Sequence, residues 1–143
     1  MLTTAQKMLE ENNLCVLATC SNNLPNSSLM HYIYDSAGKN IFMLTLRGSM
    51  KHINIAANPQ VSLLIDTRMD LLKLALPVMA LTVYGKAGFV QDPQKHQALV
   101  DQLAARFDSL AKLAGDSQCL VIQVQMEKML LLDGVNDKSM IDI

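Results

Sequence analysis

The residues from Leu44 to His52 read LTLRGSMKH, with Thr45, Arg47, Ser49 and Lys51 at every second position and His52 directly after. The run lies where an apolar, strand-like segment, Asn40–Leu46, gives way to a helix-like one, Gly48–Ala57. A helix N-terminus offers free amide N–H groups and a partial positive charge. Two cations and two hydroxyls gathered there make an anion site, and a phosphate monoester suits it best. Arg brings a planar fork of donors and Lys a compact charge. The plainer reading is a solvated turn with Ser49 as an ordinary N-cap. The chain contains neither GxxxxGK[ST] nor GxGxxG, so a P-loop and a Rossmann crevice are both unsupported.

Other reactive side chains are scattered. His31 falls on a strand-like run; it reads first as a hydrogen-bonded structural histidine and second as an acid or a ligand contact. His52 adjoins the anion cluster, where a supporting role is the lesser reading. His96 falls in the first turn of an exposed helix and is expected to do nothing specific. Three separated histidines without paired carboxylates make no metal site, and no GxSxG elbow occurs. No catalytic acid, base or nucleophile can be assigned. Tyr32, Tyr34 and Tyr84 read by default as buried or interface residues.

The elements that must position the cluster follow from patterning. The 143 residues, half of them hydrophobic and 17% charged, point to a single globular domain over 1–143. There are ten Met and no Trp, so flexible aliphatic side chains fill the core. The net charge of -1, with no basic run, argues against nucleic acid and against a membrane surface. Residues 1–13 lack the basic and apolar regions of a leader. Cys15, Cys20 and Cys119 read as reduced thiols of a cytoplasmic protein.

A capping box at Thr3 and Gln6 predicts a short helix ending near Asn12–Asn13. Leu14–Cys20 reads as a strand buried on both faces, Ser27–Tyr34 as a second strand and Asn40–Leu46 as a third, in an antiparallel meander with short polar turns. Met50, Ile53 and Ala57 form one apolar stripe on the next helix, which Asn58-Pro59 stops. Val61–Asp66 and Met79–Val90 are strands four and five; Gly85 and Gly88 in the latter imply a bulge, a bend or a close approach. Thr67–Pro77 reads as an irregular insert. Its apolar part, Leu71–Met79, should cover a barrel end or pack on a partner chain. A long helix runs from Asp92-Pro93 to Gly115, Leu120–Met126 is the sixth strand, and the tail from Asp133 is loose. The whole predicts a mainly β domain, a six-stranded antiparallel barrel with flanking helices.

Ala18-Thr19, Pro25, Gly38, Thr45, Ser49, Lys51 and Asn58-Pro59 occur in that order, followed by Val83-Tyr84-Gly85-Lys86-Ala87. This series resembles the FMN-binding split-barrel family related to pyridoxamine 5′-phosphate oxidase, over about Leu14 to Val90 and more weakly in the last strand. The resemblance implies a split β-barrel homodimer with FMN at the interface. Thr45, Arg47, Ser49 and Lys51, with the intervening Leu46 and Met50, match positions around the phosphate and ribityl oxygens. Ser27, Ser28, Leu29 and Met30 match the segment along the isoalloxazine ring. The oxidases of the family carry an arginine-rich C-terminal element, whereas no Arg follows Arg106 here, so genuine pyridoxamine phosphate oxidation is not expected. The added helical domain or basic His-containing loop of the haem-degrading relatives has no counterpart either. What remains is a flavin-dependent oxidoreductase, alternatively an FMN electron-transfer protein without an organic substrate, and third a ligand-free barrel whose dimerisation is its role. FMN and a deazaflavin both satisfy the motif, which encodes neither substrate nor electron donor.

Overall fold

The computed structural model describes residues 2–68, 78–134 and 137–143. The apolar insert, apart from Val78 and Met79, lies outside the described residues. Helix α1 (Leu2–Glu11) precedes β1 (Leu14–Ser21), β2 (Leu24–His31), β3 (Ile33–Asp35) and β4 (Asn40–Leu46); α2 (Met50–Ala57) precedes β5 (Gln60–Asp66) and β6 (Met79–Phe89). Then come α3 (Pro93–Arg106), a single 3-10 turn (Asp108–Leu110), the short α4 (Ala111–Ala114), β7 (Cys119–Asp133) and β8 (Asp137–Asp142). The strands form one antiparallel sheet in the order β2-β1-β5-β6-β7-β4-β3, with β8 added beside β7. The sheet curls around Leu17, Met43, Leu63, Leu81, Val83 and Ile122, all fully enclosed, and is a split barrel.

Among the described residues eight strands replace the six expected, for two reasons. The tail expected to be loose pairs along β7, from Lys128↔Asp142 to Asp133↔Asp137. The expected second strand is divided at Tyr32. Its amide donates to Asn13 O (3.2 Å), and its buried hydroxyl donates to Leu9 O (2.8 Å). Before Tyr32 the chain pairs with β1, and after it with β4. The meander is therefore two hairpins that part company at one residue and end at opposite edges of the sheet. The first hairpin turns through Asn22 and Asn23, both at positive φ (53° and 63°), the backbone that a two-residue turn between right-twisted strands requires.

β1 alternates rather than being buried on both faces: Cys15, Leu17 and Thr19 point inward and Val16 and Ala18 are half-buried. Thr3 lies inside α1 and not at its cap. At the other end Asn12 Nδ2 donates to Met8 O (2.7 Å) and closes the helix. The expected Asp92-Pro93 start of α3 is present, with Asp92 Oδ2 accepting from Lys95 N (2.8 Å). The helix stops at Phe107 (φ -127°, ψ 101°) rather than running to Gly115. Phe107 is buried in a second apolar cluster with Leu99, Leu103, Leu44 and Val121.

Cys15 sits in the main core, its Sγ 4.0 Å from Met43 Sδ, and burial pushes its thiol from 9.0 up to about 12. Burial, and then the nearby Cys15, also raise Tyr32. The folded state therefore keeps protons that the unfolded chain releases. The stability contributed by Cys15 is complete below pH 9 and declines as pH rises toward about 12, by roughly 1.4 kcal/mol per pH unit, and the Tyr32 contribution declines only above pH 10. Urea midpoints at pH 8 and pH 10.5 should show a clear fall; equal midpoints would contradict the burial of these protons.

Candidate functional site

Where the two hairpins part, a cleft opens. Its volume is about 320 Å³ and its walls come from three places. β2 supplies Leu29, Met30 and His31; the end of β4 and the start of α2 supply Leu44, Thr45, Leu46, Ser49 and Lys51; the segment after α3 supplies Leu110 and Leu113. β2 ends the sheet path, so one of its edges has no strand partner among the described residues, and its last residues line the cleft. The split at Tyr32 thus leaves strand amides and carbonyls beside an apolar slot, and such groups can bond the rim of a flat ring.

The opposite wall carries the hydroxyls. Thr45 is buried at the end of β4, and its Oγ1 lies 2.8 Å from Ser49 Oγ. Ser49 has the extended backbone of an N-cap (φ -66°, ψ 161°), and its Oγ accepts from His52 N (3.2 Å). With that acceptor position filled, Thr45 can donate to Ser49, and the Ser49 hydroxyl proton is then free for a ligand. Lys51 lines the same cleft and adds the charge. A buried side-chain bond holds α2 in place: Asn54 Nδ2 donates to Thr19 Oγ1 (3.0 Å) on β1. Gly48 (φ +84°) turns the chain between β4 and α2, a conformation that suits glycine.

The expected site residues are only partly brought together. Leu29, Met30, Thr45, Leu46, Ser49 and Lys51 line the cleft. Ser27 and Ser28 lie further along β2 and are not in its lining. Met50 is 59% exposed and is not in the lining. Arg47 falls on the other side of the Gly48 turn, where it lines a separate depression with His52 and His96. The alternation of Thr45, Arg47, Ser49 and Lys51 holds only while the chain is a strand, and the strand ends at Leu46.

Sequence reasoning misses Leu44, Leu110, Leu113 and Asn54. Leu110 and Leu113 fit one continuous helix by periodicity, and nothing short of the break at Phe107 turns them toward β2. Asn54 does carry a signal, a polar residue at a helix position that faces the barrel. His31 is in the lining, with Nε2 3.2 Å from Ser109 Oγ and its ring 4.5 Å from that of Phe107. Its Nδ1 is buried without a hydrogen-bond partner among the described residues. The apolar stripe on α2 is reversed from a core face: Met50 and Ile53 are 59% and 56% exposed, and Asn54 and Ile55 face inward. No group of three His, Cys, Asp or Glu suited to a metal occurs among the described residues. No helix among them is long and apolar enough to cross a membrane.

A family model described as pyridoxamine 5′-phosphate oxidase matches residues 1–132. No curated protein sequence matches the chain. General Stress Protein 26 from Bacillus anthracis superposes with a TM-score of 0.77 at 19% identity, covering 99% of this chain and 97% of that one. A FAD-binding protein from Mesorhizobium loti gives 0.73 at 16% identity, covering 92% and 93%. The haem storage protein HutZ from Vibrio cholerae gives 0.73 at 20% identity, covering 92% of each chain. At such identities the likeness is one of fold.

Proposed function

The chain belongs to the pyridoxamine 5′-phosphate oxidase family, and from that premise we propose that its cleft binds FMN in a homodimer of cytoplasmic flavoprotein subunits. The observation that carries this reading is the pairing of Thr45 Oγ1 with Ser49 Oγ at 2.8 Å in a slot that also holds Lys51 and, opposite, the free edge of β2. One wall suits a phosphate dianion and the other a flat ring. Ser49 donates to the phosphate, Lys51 neutralises it, and buried Thr45 orients Ser49 from behind. Leu29 and Met30 lie against the ring, with Ser27 and Ser28 reaching it through the β2 backbone. When bound, the flavin supplies hydride or electron transfer; the protein supplies its orientation and electrostatic setting.

At about 320 Å³ the cleft is at the small end for a cofactor pocket. Apolar side chains are left uncovered: Leu29 in its lining is 69% exposed, and Met50 and Ile53 on α2 are 59% and 56% exposed. A second copy completes the pocket and covers these side chains.

The activity is that of an FMN-dependent oxidoreductase acting on a substrate other than pyridoxamine phosphate; among the described residues the cleft lining holds no arginine for such a substrate. A second reading, an electron carrier with no organic substrate, is favoured by the lining itself. Among the described residues it contains no carboxylate, and His31 and Lys51 are its only ionisable side chains.

Absorption and mass analysis of the purified protein should show FMN. Replacing Lys51 removes one charge-assisted contact worth about 1.5–3 kcal/mol, so Lys51→Ala should weaken FMN binding roughly 10–150-fold with the urea midpoint little changed. Ser49→Ala should act in the same direction and also cost helix stability of about 1 kcal/mol. A Soret band in place of flavin bands, or full FMN affinity in Lys51→Ala, would overturn the assignment.

A further inference from the structure

The depression that takes Arg47 away from the cleft is itself organised for an anion. It holds about 360 Å³, and Arg47, His52, Gln91, His96 and Ser117 line it together with the Phe89 ring. Among the described residues no carboxylate is in its lining. The two nearest in sequence are engaged: Asp92 Oδ2 accepts from Lys95 N and Asp116 Oδ1 from Gln118 N, each at 2.8 Å. His52 is held in one tautomer. Its Nδ1 accepts the Gly48 N–H (2.8 Å), so the ring proton resides on Nε2 and that atom is a donor even when the imidazole is neutral. The ring stands edge-on to Phe89, with centroids 5.2 Å apart and planes at 86°. Arg47 N donates to Gln118 O (2.9 Å), which ties the turn to the start of β7. His96, expected to be idle on an exposed helix, is half-buried here.

We propose that Arg47, His52 and His96 form a second anion site, separate from the cleft, that binds a phosphoryl group. Arg47 supplies a fork of N–H donors, His52 its Nε2–H, His96 a further ring nitrogen and Ser117 a hydroxyl. Arg47 and Ser49 are two residues apart, so their Cα atoms are separated by at most about 7 Å. The phosphoryl group belongs either to the outer half of a dinucleotide flavin or to a separate phosphorylated molecule. Its position relative to a cofactor rests on the flavin reading above; the site itself does not.

The chain has three histidines, one lining the cleft and two lining the depression, which makes the test direct. Pyrophosphate is titrated into the full chain while the histidine ring resonances are followed, without flavin and then with saturating FMN. His52 and His96 should move together on one saturation curve in both cases. Arg47→Gln should raise the apparent Kd at least tenfold with the His31 signal unmoved, and Lys51→Ala should leave it within twofold. Loss of the response when FAD replaces FMN assigns the site to the dinucleotide; a response that persists assigns it to a separate molecule. Absence of a common shift in His52 and His96, or a response indifferent to Arg47→Gln, would overturn the proposal. Failure of flavin to bind would sink the cleft assignment alone, since the flavin-free titration stands by itself.

Discussion

Gly85→Ala should destabilise the protein by about 3 kcal/mol or more, among the largest effects of any single methyl group here. A Cβ at this position would collide with Gln125 O and stand 3.0 Å from Val124 Cγ1. The first contact is with backbone in the neighbouring strand, which cannot swing aside as a side chain does. Between Tyr84 and Gly85 the β6–β7 ladder shifts register, and that bulge brings the two backbones together. Overpacking a dense interior commonly costs about 1–3 kcal/mol, and an immovable carbonyl puts this site at the upper end or beyond. Gly88, three residues on, is the control: nothing lies within 4 Å of where its Cβ would stand, so Gly88→Ala should change stability by less than about 1 kcal/mol. Urea denaturation of both variants decides the matter; equal midpoints would show that the two backbones do not approach so closely.

The second large effect concerns association. Ile53→Asp should convert the proposed homodimer to monomer at micromolar concentration. Ile53 is 56% exposed on α2, one turn from Met50. In a two-fold interface each substitution occurs twice. A charge driven into an apolar contact costs at least about 2 kcal/mol per copy, hence about 4 kcal/mol per dimer, or roughly a thousandfold in the dissociation constant. FMN affinity should fall alongside if, as proposed, the second copy supplies one wall of each cleft. Sedimentation of wild type and variant at about 10 µM, where a thousandfold change is easily seen, checks this; a monomeric wild type, or a dimer that survives the substitution, would remove the partner from the account of the site.

Much of this architecture is written locally. The two-residue turn at Asn22-Asn23, the Asp92-Pro93 helix start, the stop at Asn58-Pro59 and the glycine at the β6 bulge each need only a few neighbouring residues, and each is where the chain's own chemistry puts it. What resists reading is decided across the sheet. Tyr32 is one more strand-compatible residue in SSLMHYIY, and only the carbonyls of Leu9 and Asn13 make it a divide. Phe107 ends a helix with neither Gly nor Pro, because its ring is claimed by the cluster under α3. The stripe of Met50 and Ile53 has the spacing of a core face and faces outward. Periodicity reports that an apolar face exists, not whether its cover comes from the same chain. The anion cluster is legible as a cluster, from residue types at a strand-to-helix junction. Its division into two sites is not, because the turn at Gly48 ends the alternation that links Arg47 to Ser49.

The pairing of β4 with β7, Leu44 opposite Val121 and Thr45 opposite Leu120, has a bearing on how the molecule comes into being. The strand that bears Thr45 is made well before its ladder partner, β7, while α2 is tied to β1 through Asn54 and Thr19. A growing polypeptide can form the Asn22-Asn23 hairpin at once, but β4 lacks one of its two ladder partners until β7 arrives. Contacts so distant along the chain slow folding. The proposed cofactor therefore meets a barrel whose strands are already paired: it would lock that state against unfolding by mass action rather than serve as a template on which the barrel is assembled.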